Sequence, residues 1–191
     1  MASLLAGIFT ALFWFIHPDA GLTNMAARLT GRWEFAYVLF VGVLVLTLFG
    51  LIGLYVRQLE KAKAIGFIGF FLAFIGTAIF IGAGIFDGFV SPILAQSGAT
   101  QFLLDAKGAL LTHLSPLFIF GGLSFAIGFI LFGITIIRTK IFPRWTGILL
   151  ILSAPILGLS PLMPAMARTW GSVVFGLTIA TLGFKLWSDK E

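Results

Sequence analysis

Residues 64–89 read AIGFIGFFLAFIGTAIFIGAGIFDGF and carry a single charged side chain, Asp87. Ala64 and Asp87 are about 23 residues apart, which corresponds to roughly 35 Å of helix at 1.5 Å per residue. That length exceeds the hydrocarbon layer of a bilayer, which is roughly 30 Å thick. The run therefore predicts a transmembrane helix, with Asp87 at or near one membrane surface rather than at the midplane.

The composition of the whole chain agrees with this segment. Of 191 residues, 60% are hydrophobic and 10% are charged, and the mean hydropathy is +1.12. Soluble domains are roughly 45–50% apolar and about 25% charged. The 22 phenylalanines and 23 glycines suit helices that pack closely in lipid through small residues. We therefore predict an all-α polytopic transmembrane helix bundle that forms a single domain over residues 1–191.

Six apolar runs along the chain predict about six membrane spans. The first is short for a span and has the length of a signal-peptide core, but no Lys or Arg precedes it, so we interpret it as a short span. The connection between the third and fourth runs is long, and its apolar residues predict either an interfacial helix over 101–111 or an ordered loop. The predicted spans are approximately 1–16, 33–55, 64–89, 116–137, 145–162 and 170–187.

The distribution of Lys and Arg predicts the orientation. Alternate connections carry eight bases on one side and four on the other, and cytoplasmic loops are the richer in bases. Both termini are then cytoplasmic, which agrees with an even number of spans. Topology accounts for the pI near 10.0, so no nucleic-acid partner is expected. The cytoplasmic set is Arg57, Lys61, Lys63, Arg138, Lys140, Arg144, Lys185 and Lys190, and the outer set is Arg28, Arg32, Lys107 and Arg168.

Six of the cytoplasmic bases are candidates for contact with lipid headgroups. Together with Tyr55 and Trp145 they form a basic, aromatic belt of the kind that anchors membrane proteins. A specific site for an anionic lipid is the alternative interpretation. The six bases are Arg57, Lys61, Lys63, Arg138, Lys140 and Arg144.

Small residues at helical spacings, alternating between three and four in the third span and seven apart in the fourth, predict close helix packing. Such a face lets a neighbouring backbone approach, because few side chains stand between the helices. In the third span this series continues to Asp87, so the acid is expected on a packed face with a partner available. The series are Gly66, Gly69, Ala73, Gly76, Phe80 and Ala83 in the third span; Gly121, Gly128 and Thr135 in the fourth; and Gly147, Ala154, Gly158 and Pro161 in the fifth.

The sequence contains no catalytic motif, and the lack of cysteine excludes thiolate and iron–sulfur chemistry. Four polar residues, His17, Glu34, Asp87 and His113, are predicted to lie at the outer side. Two imidazoles and two carboxylates at one level are able to bind a divalent metal such as zinc. The alternative is four unrelated interfacial residues, with no cofactor.

Asp87 taken alone has a simpler interpretation. An acid near the membrane surface is expected to pair with a base or a helix N-terminus, because an unpaired charge there is costly. The partners within reach are Arg28, Arg32, Lys107 and a helix N-terminus. We therefore expect Asp87 to have a structural partner whether or not it belongs to a site.

Several short motifs resemble a family of small six-span bacterial inner-membrane proteins that has no assigned activity. The likeness covers most of the chain and implies a multi-pass protein of the bacterial cytoplasmic membrane, with no catalytic residue. In that family an acid stands at the position of Asp87, and a histidine stands where this chain has Tyr37. That departure speaks against a histidine-rich metal or haem site. The motifs are His17-Pro18, Gly53-Leu-Tyr55 followed by Arg57-Gln58, Phe86-Asp87-Gly-Phe-Val with Pro92, and Pro143-Arg-Trp145.

Three functions are compatible with these features. The first is a non-enzymatic membrane component, either an accessory subunit of a complex or a binder of an apolar or lipid ligand between its helices. The second is a small transporter or channel, which needs polar residues through the middle of the bundle. The third is an outer-face metal-binding protein or metalloenzyme. The mid-span polar residues available to a transporter are few: Thr47, Thr77, Ser124, Ser153 and Thr178.

Overall fold

A computed structural model describes residues 1–18, 25–96 and 109–188, with the side chains of Met25 and residues 109–112 excepted. The described part is 93% helical and contains no strand. A π-helical turn, Phe86–Val90, joins α3 to α4, and a 3₁₀ turn, Ser160–Leu162, follows α6. The predicted interfacial helix over 101–111 lies almost entirely outside the described residues. The helices are α1 (Ala2–Ile16), α2 (Met25–Arg28), α3 (Gly31–Ile85), α4 (Ser91–Gln96), α5 (Ala109–Thr139), α6 (Arg144–Gly158) and α7 (Ala165–Ser188).

The helices have the length and composition of membrane-crossing segments. Three stretches are long and apolar enough to cross a bilayer, namely Gly31–Gln96, His113–Thr139 and Ala165–Ser188. Two shorter apolar helices, Ala2–Ile16 and Arg144–Gly158, accompany them. The prediction of an all-helical membrane bundle agrees with these elements.

The long helix α3 is folded back on itself at Lys63. That residue has φ 51° and ψ −163°, outside the helical region, and it divides α3 into a first arm, residues 31–62, and a second arm, residues 64–85. The rings of Tyr55 and Phe70 stack with their centroids 4.5 Å apart, whereas 15 residues of straight helix would separate them by roughly 22 Å. The arms therefore form an antiparallel hairpin, as the separate second and third predicted spans require.

The two arms of α3 and the helices α1, α5, α6 and α7 form a closed ring. The second arm packs on α5, then α5 on α6, α6 on α7, α7 on α1, and α1 on the first arm. Phenylalanines fill the centre: Phe125, Phe129 and Phe132 are at most 3% exposed. Gly183 near the end of α7 packs against Leu4 near the start of α1. On the first arm, Gly50 packs against Ser3 and Gly53 against Leu186, so α1 begins and α7 ends on the side of the bundle toward Lys63.

The glycine series of the second arm is a close contact with α5, as predicted. A Cβ on Gly69 would lie 2.8 Å from the backbone nitrogen of Phe132, and a Cβ on Gly76 would lie 2.8 Å from the carbonyl oxygen of Gly121. Real Cβ atoms do not come this close to backbone, so the two helices touch through their main chains. Gly128 of α5 faces the backbone of Ala73 in the same way.

A second face of α5 packs equally closely on α6. A Cβ on Gly147 would lie 2.6 Å from the carbonyl oxygen of Gly133, and one on Gly158 would lie 2.5 Å from that of Gly122. The predicted series of the fifth span is confirmed as far as Gly158. Its continuation to Pro161 is wrong, because α6 ends at Gly158 and Pro161 is exposed in the following 3₁₀ turn.

Candidate functional site

Polar and aromatic side chains meet where α1 ends, α2 lies, α3 begins and the π turn follows the second arm. We call this the His17 end of the bundle, and the opposite end, where α3 reverses, the Lys63 end. The first arm begins at the His17 end. Thr30 caps it there, because the Thr30 hydroxyl accepts a hydrogen bond from the backbone N–H of Trp33 at 3.3 Å. Threonine is a favoured N-cap for this reason.

An ion pair ties α2 to the π turn. The Nη1 atom of Arg28 lies 3.5 Å from Oδ1 of Asp87 and also donates a hydrogen bond to the Ser91 hydroxyl. The Arg28 side chain is only 4% exposed, whereas that of Asp87 is 35% exposed. The expectation that Asp87 has a structural partner is confirmed, and that partner is Arg28.

The backbone of Asp87 is held as firmly as its side chain. The indole Nε1 of Trp33 donates to the Asp87 carbonyl oxygen at 2.8 Å, and the Ser91 hydroxyl donates to it at 2.9 Å. The guanidinium of Arg28 lies 5.0 Å from the centroid of the Trp33 ring, within the range of a cation–π contact. Asp87 therefore joins the π turn to α2 and to the start of α3, rather than lying on the face that packs on α5.

Four aromatic rings surround the imidazole of His17. The ring centroids of Phe13, Trp14, Trp33 and Tyr37 lie 5.1–5.4 Å from that of His17. The Nε2 atom of His17 and the hydroxyl of Tyr37 are 3.3 Å apart, within hydrogen-bonding distance. Tyr37 on the first arm therefore contacts the histidine that follows α1.

Two further arginines close the end of α1. Arg32 donates from Nε to the carbonyl oxygen of Ile16 at 3.0 Å and from Nη2 to that of Phe15 at 3.4 Å. The last carbonyls of a helix lack partners in the helix itself and favour a cation. Arg168 of α7 lies over the Trp14 ring, 4.9 Å from its centroid. Arg32, one of the partners expected for Asp87, thus binds α1 instead, and Lys107 lies outside the described residues.

The four residues proposed for a metal site do not come together as one group. His17 and Asp87 belong to the cluster just described, while Glu34 is exposed on the first arm and His113 is exposed near the start of α5. Within residues 1–18, 25–96 and 109–188, no group of three or more His, Asp or Glu side chains is placed to hold a metal ion. The metal site therefore stays a prediction from residue types alone.

The six bases proposed for headgroup contact are exposed at the Lys63 end. A buried polar contact that the sequence analysis missed lies among them. Gln58 is fully buried, its Nε2 donates to the Leu54 carbonyl at 3.1 Å, and its Oε1 accepts from the Thr139 hydroxyl at 3.0 Å. This contact joins the first arm to the end of α5. No periodicity within either helix indicates it, because it depends on which helices are neighbours.

Two cavities are lined by residues of the first arm. An apolar groove of about 370 Å³ runs between α1 and the first arm and is lined by Phe9, Val38, Gly42 and Leu46, among others. A cleft of about 340 Å³ lies at the His17 end, where α2 and the start of α3 approach the π turn and α4. Its polar lining residues are Arg28, Thr30, Glu34 and Gln96, and its apolar ones include Phe89 and Ile93.

Four of the five mid-span polar residues have hydroxyl groups that are satisfied inside their own helices. Thr47, Thr77, Ser153 and Thr178 each donate to the carbonyl oxygen four residues earlier, at 2.6–2.8 Å. All four are buried next to a centre filled by phenylalanine. These residues line no polar path.

Comparison with known proteins identified no relative, since no family model, curated protein or solved structure matches this chain. The function is therefore argued from the geometry.

Proposed function

We propose that this chain is a non-catalytic, six-span protein of the bacterial cytoplasmic membrane that binds a membrane lipid along the first arm of α3. The ring supports six spans, because its six helical segments run alternately between the His17 end and the Lys63 end. The concentration of exposed Lys and Arg at the Lys63 end supports a cytoplasmic location for that end and for both termini.

The observation that carries the lipid proposal is the apolar groove between α1 and the first arm. Phe9 lies midway along α1, and Val38 to Leu46 lie well inside the first arm, so the groove opens at the depth of the hydrocarbon layer. Gly42 keeps it open: a Cβ there would meet no atom within 4 Å. An acyl chain is the apolar molecule present at that depth, and a recess of this size lies in the range of ligand pockets.

The other two functions have less support. A transporter or channel requires a polar path, and the buried hydroxyls bond to their own helices around a core of phenylalanine. A metalloenzyme requires converging ligands, and within residues 1–18, 25–96 and 109–188 no three His, Asp or Glu side chains converge. An accessory subunit differs from the proposed function only in what covers the groove, a partner helix or a lipid.

Filling the groove tests the proposal. Gly42→Phe places a ring in the groove, and Gly82→Phe is the matched control, because Gly82 lies on the second arm and a Cβ there also meets nothing within 4 Å. Native mass spectrometry of protein purified in mild detergent counts the retained phospholipids. Wild type and Gly82→Phe should each retain lipid, and Gly42→Phe should lose most of it.

Two results would contradict the lipid proposal. Wild type that retains no phospholipid would do so, as would Gly42→Phe that retains as much as wild type. The accessory subunit would be favoured instead if solubilised native membranes contained the protein in a larger complex and if Gly42→Phe released a partner from that complex.

A further inference from the structure

The cleft at the His17 end combines charges of both signs with an apolar wall. Arg28 is one of its lining residues and is only 5% exposed. Glu34 is exposed on the first arm and lines the same cleft. Phe89, Pro92 and Ile93 supply the apolar side. This pattern suits a ligand that carries both charges next to a hydrocarbon part.

The balance of charge favours a cation over an anion. The guanidinium of Arg28 is already paired with the carboxylate of Asp87, and Arg32 is directed to the carbonyls of α1. Glu34 forms no ion pair with any described residue. Among the residues that the structure describes, the uncompensated charge of the cleft is therefore negative, so it attracts an ammonium and repels an anionic headgroup that has no amine.

The cleft and the apolar groove share the exposed side of the first arm. Glu34 lines the cleft and Val38 lines the groove, and residues four apart lie one above the other on a helix. A lipid with its chain in the groove can therefore present its headgroup to the cleft. This continuity selects a lipid rather than a soluble amine.

We infer that the cleft takes the headgroup of a zwitterionic aminophospholipid, with its ammonium on the Glu34 carboxylate, an inference that rests on the proposed lipid-binding function. Phosphatidylethanolamine has this chemistry, and its amine donates hydrogen bonds to a carboxylate. Phosphatidylglycerol has the phosphate but no amine, so it lacks the group that Glu34 recognises.

The test is a competition between two lipids with identical acyl chains. The protein is placed in nanodiscs of equimolar phosphatidylethanolamine and phosphatidylglycerol, and the lipid that it retains on release is counted by native mass spectrometry. Wild type should retain the ethanolamine lipid in preference by about two- to fivefold, the range expected for one partly exposed ion pair. Glu34→Gln should retain lipid without that preference. Glu60→Gln, which removes an exposed acid near the other end of the first arm, should keep it.

The outcomes separate this inference from the proposed function. Wild type that retains no lipid overturns both. Retained lipid without a headgroup preference, or with the same preference in Glu34→Gln, overturns only the headgroup assignment. A lower melting temperature of Glu34→Gln, with no preference in wild type, would mean that Glu34 pairs within the chain and would also overturn it.

Discussion

Arg28 and Asp87 are 59 positions apart in sequence and form the ion pair at the His17 end. A guanidinium that is 4% exposed needs a carboxylate or several acceptors, because a buried charge without compensation costs several kcal/mol. The need of Asp87 for a partner followed from the sequence, since it is the single charge of its span. The sequence did not show that the partner is Arg28 rather than another base, because the partner depends on where α2 lies.

Removing the charge of Asp87 tests the pair. Asp87→Asn keeps the shape and one acceptor oxygen but leaves Arg28 without its counter-ion, so we expect a loss of about 1–3 kcal/mol in unfolding free energy, below the value for a fully buried pair because Asp87 is partly exposed. A thermal melt in detergent measures it. Glu34→Gln is the control and should melt within the error of wild type. Equal melting temperatures for all three proteins would show that the pair is not stabilising.

The contact between His17 and Tyr37 was not predicted, because no spacing along the chain relates two residues on different helices. Tyr37→Phe deletes only the hydroxyl and keeps the ring that packs on His17 and Trp33. We expect a loss of about 1 kcal/mol, the usual net value of one hydrogen bond. Tyr55→Phe is the control, since the Tyr55 ring stacks on Phe70 and its hydroxyl bonds to no described residue. If both variants lose the same stability in a detergent melt, the His17 contact contributes nothing.

At the scale of helices, the small-residue series predicted two of the close contacts. Gly69 and Gly76 face α5, and Gly147 and Gly158 also face α5, on its other side. A regular spacing of small residues is visible in one helix at a time, so it shows that a face is packed but not against which neighbour. The contact of α1 with α7 was missed, although Gly7 and Gly176 bring their backbones together there.

One methyl group tests the contact of the second arm with α5. Gly76→Ala would push a Cβ into the backbone of α5, and overpacking of this kind typically costs about 1–3 kcal/mol. Gly82→Ala on the same arm meets no neighbour and should gain up to about 1 kcal/mol from helix propensity. The difference in detergent melting temperature should have opposite signs for the two variants. A stabilising Gly76→Ala would contradict the close contact.

The reversal at Lys63 gives a second test at this scale. A φ of 51° with a ψ of −163° belongs to a region that is essentially restricted to glycine, and other residues there are strained by roughly 1–3 kcal/mol. Lys63→Gly should therefore raise the unfolding free energy. Lys61→Gly, within the first arm, should lower it by about 0.5–1 kcal/mol. If Lys63→Gly is as destabilising as Lys61→Gly, the hairpin turn is not where the structure has it.

At the scale of the whole molecule, composition predicted the class, an all-helical protein with apolar segments long enough to cross a membrane. The bias of Lys and Arg predicts in addition that one end of the bundle is cytoplasmic, and this part stays a prediction. The order of helices around the ring was not predictable, because every span is apolar on most sides and hydropathy does not distinguish a face that packs on a helix from one that packs on lipid. The grooves on the first arm depend on that order, so the sequence could not locate them either.

The proposed lipid site depends on a six-span bundle with the His17 end outside and the Lys63 end in the cytoplasm. The chain contains no cysteine, so single cysteines report accessibility without background. Three exposed positions serve as probes: Leu29 at the His17 end, Lys61 at the Lys63 end, and Ser188 at the end of α7.

The direct measurement is labelling of these three variants in spheroplasts with a maleimide that does not cross membranes. We expect Leu29→Cys to be labelled on intact spheroplasts, and Lys61→Cys and Ser188→Cys to be labelled only after the membrane is broken. Labelling of Ser188→Cys on intact spheroplasts would contradict this topology. Equal labelling of Lys61→Cys and Leu29→Cys on intact spheroplasts would also contradict it.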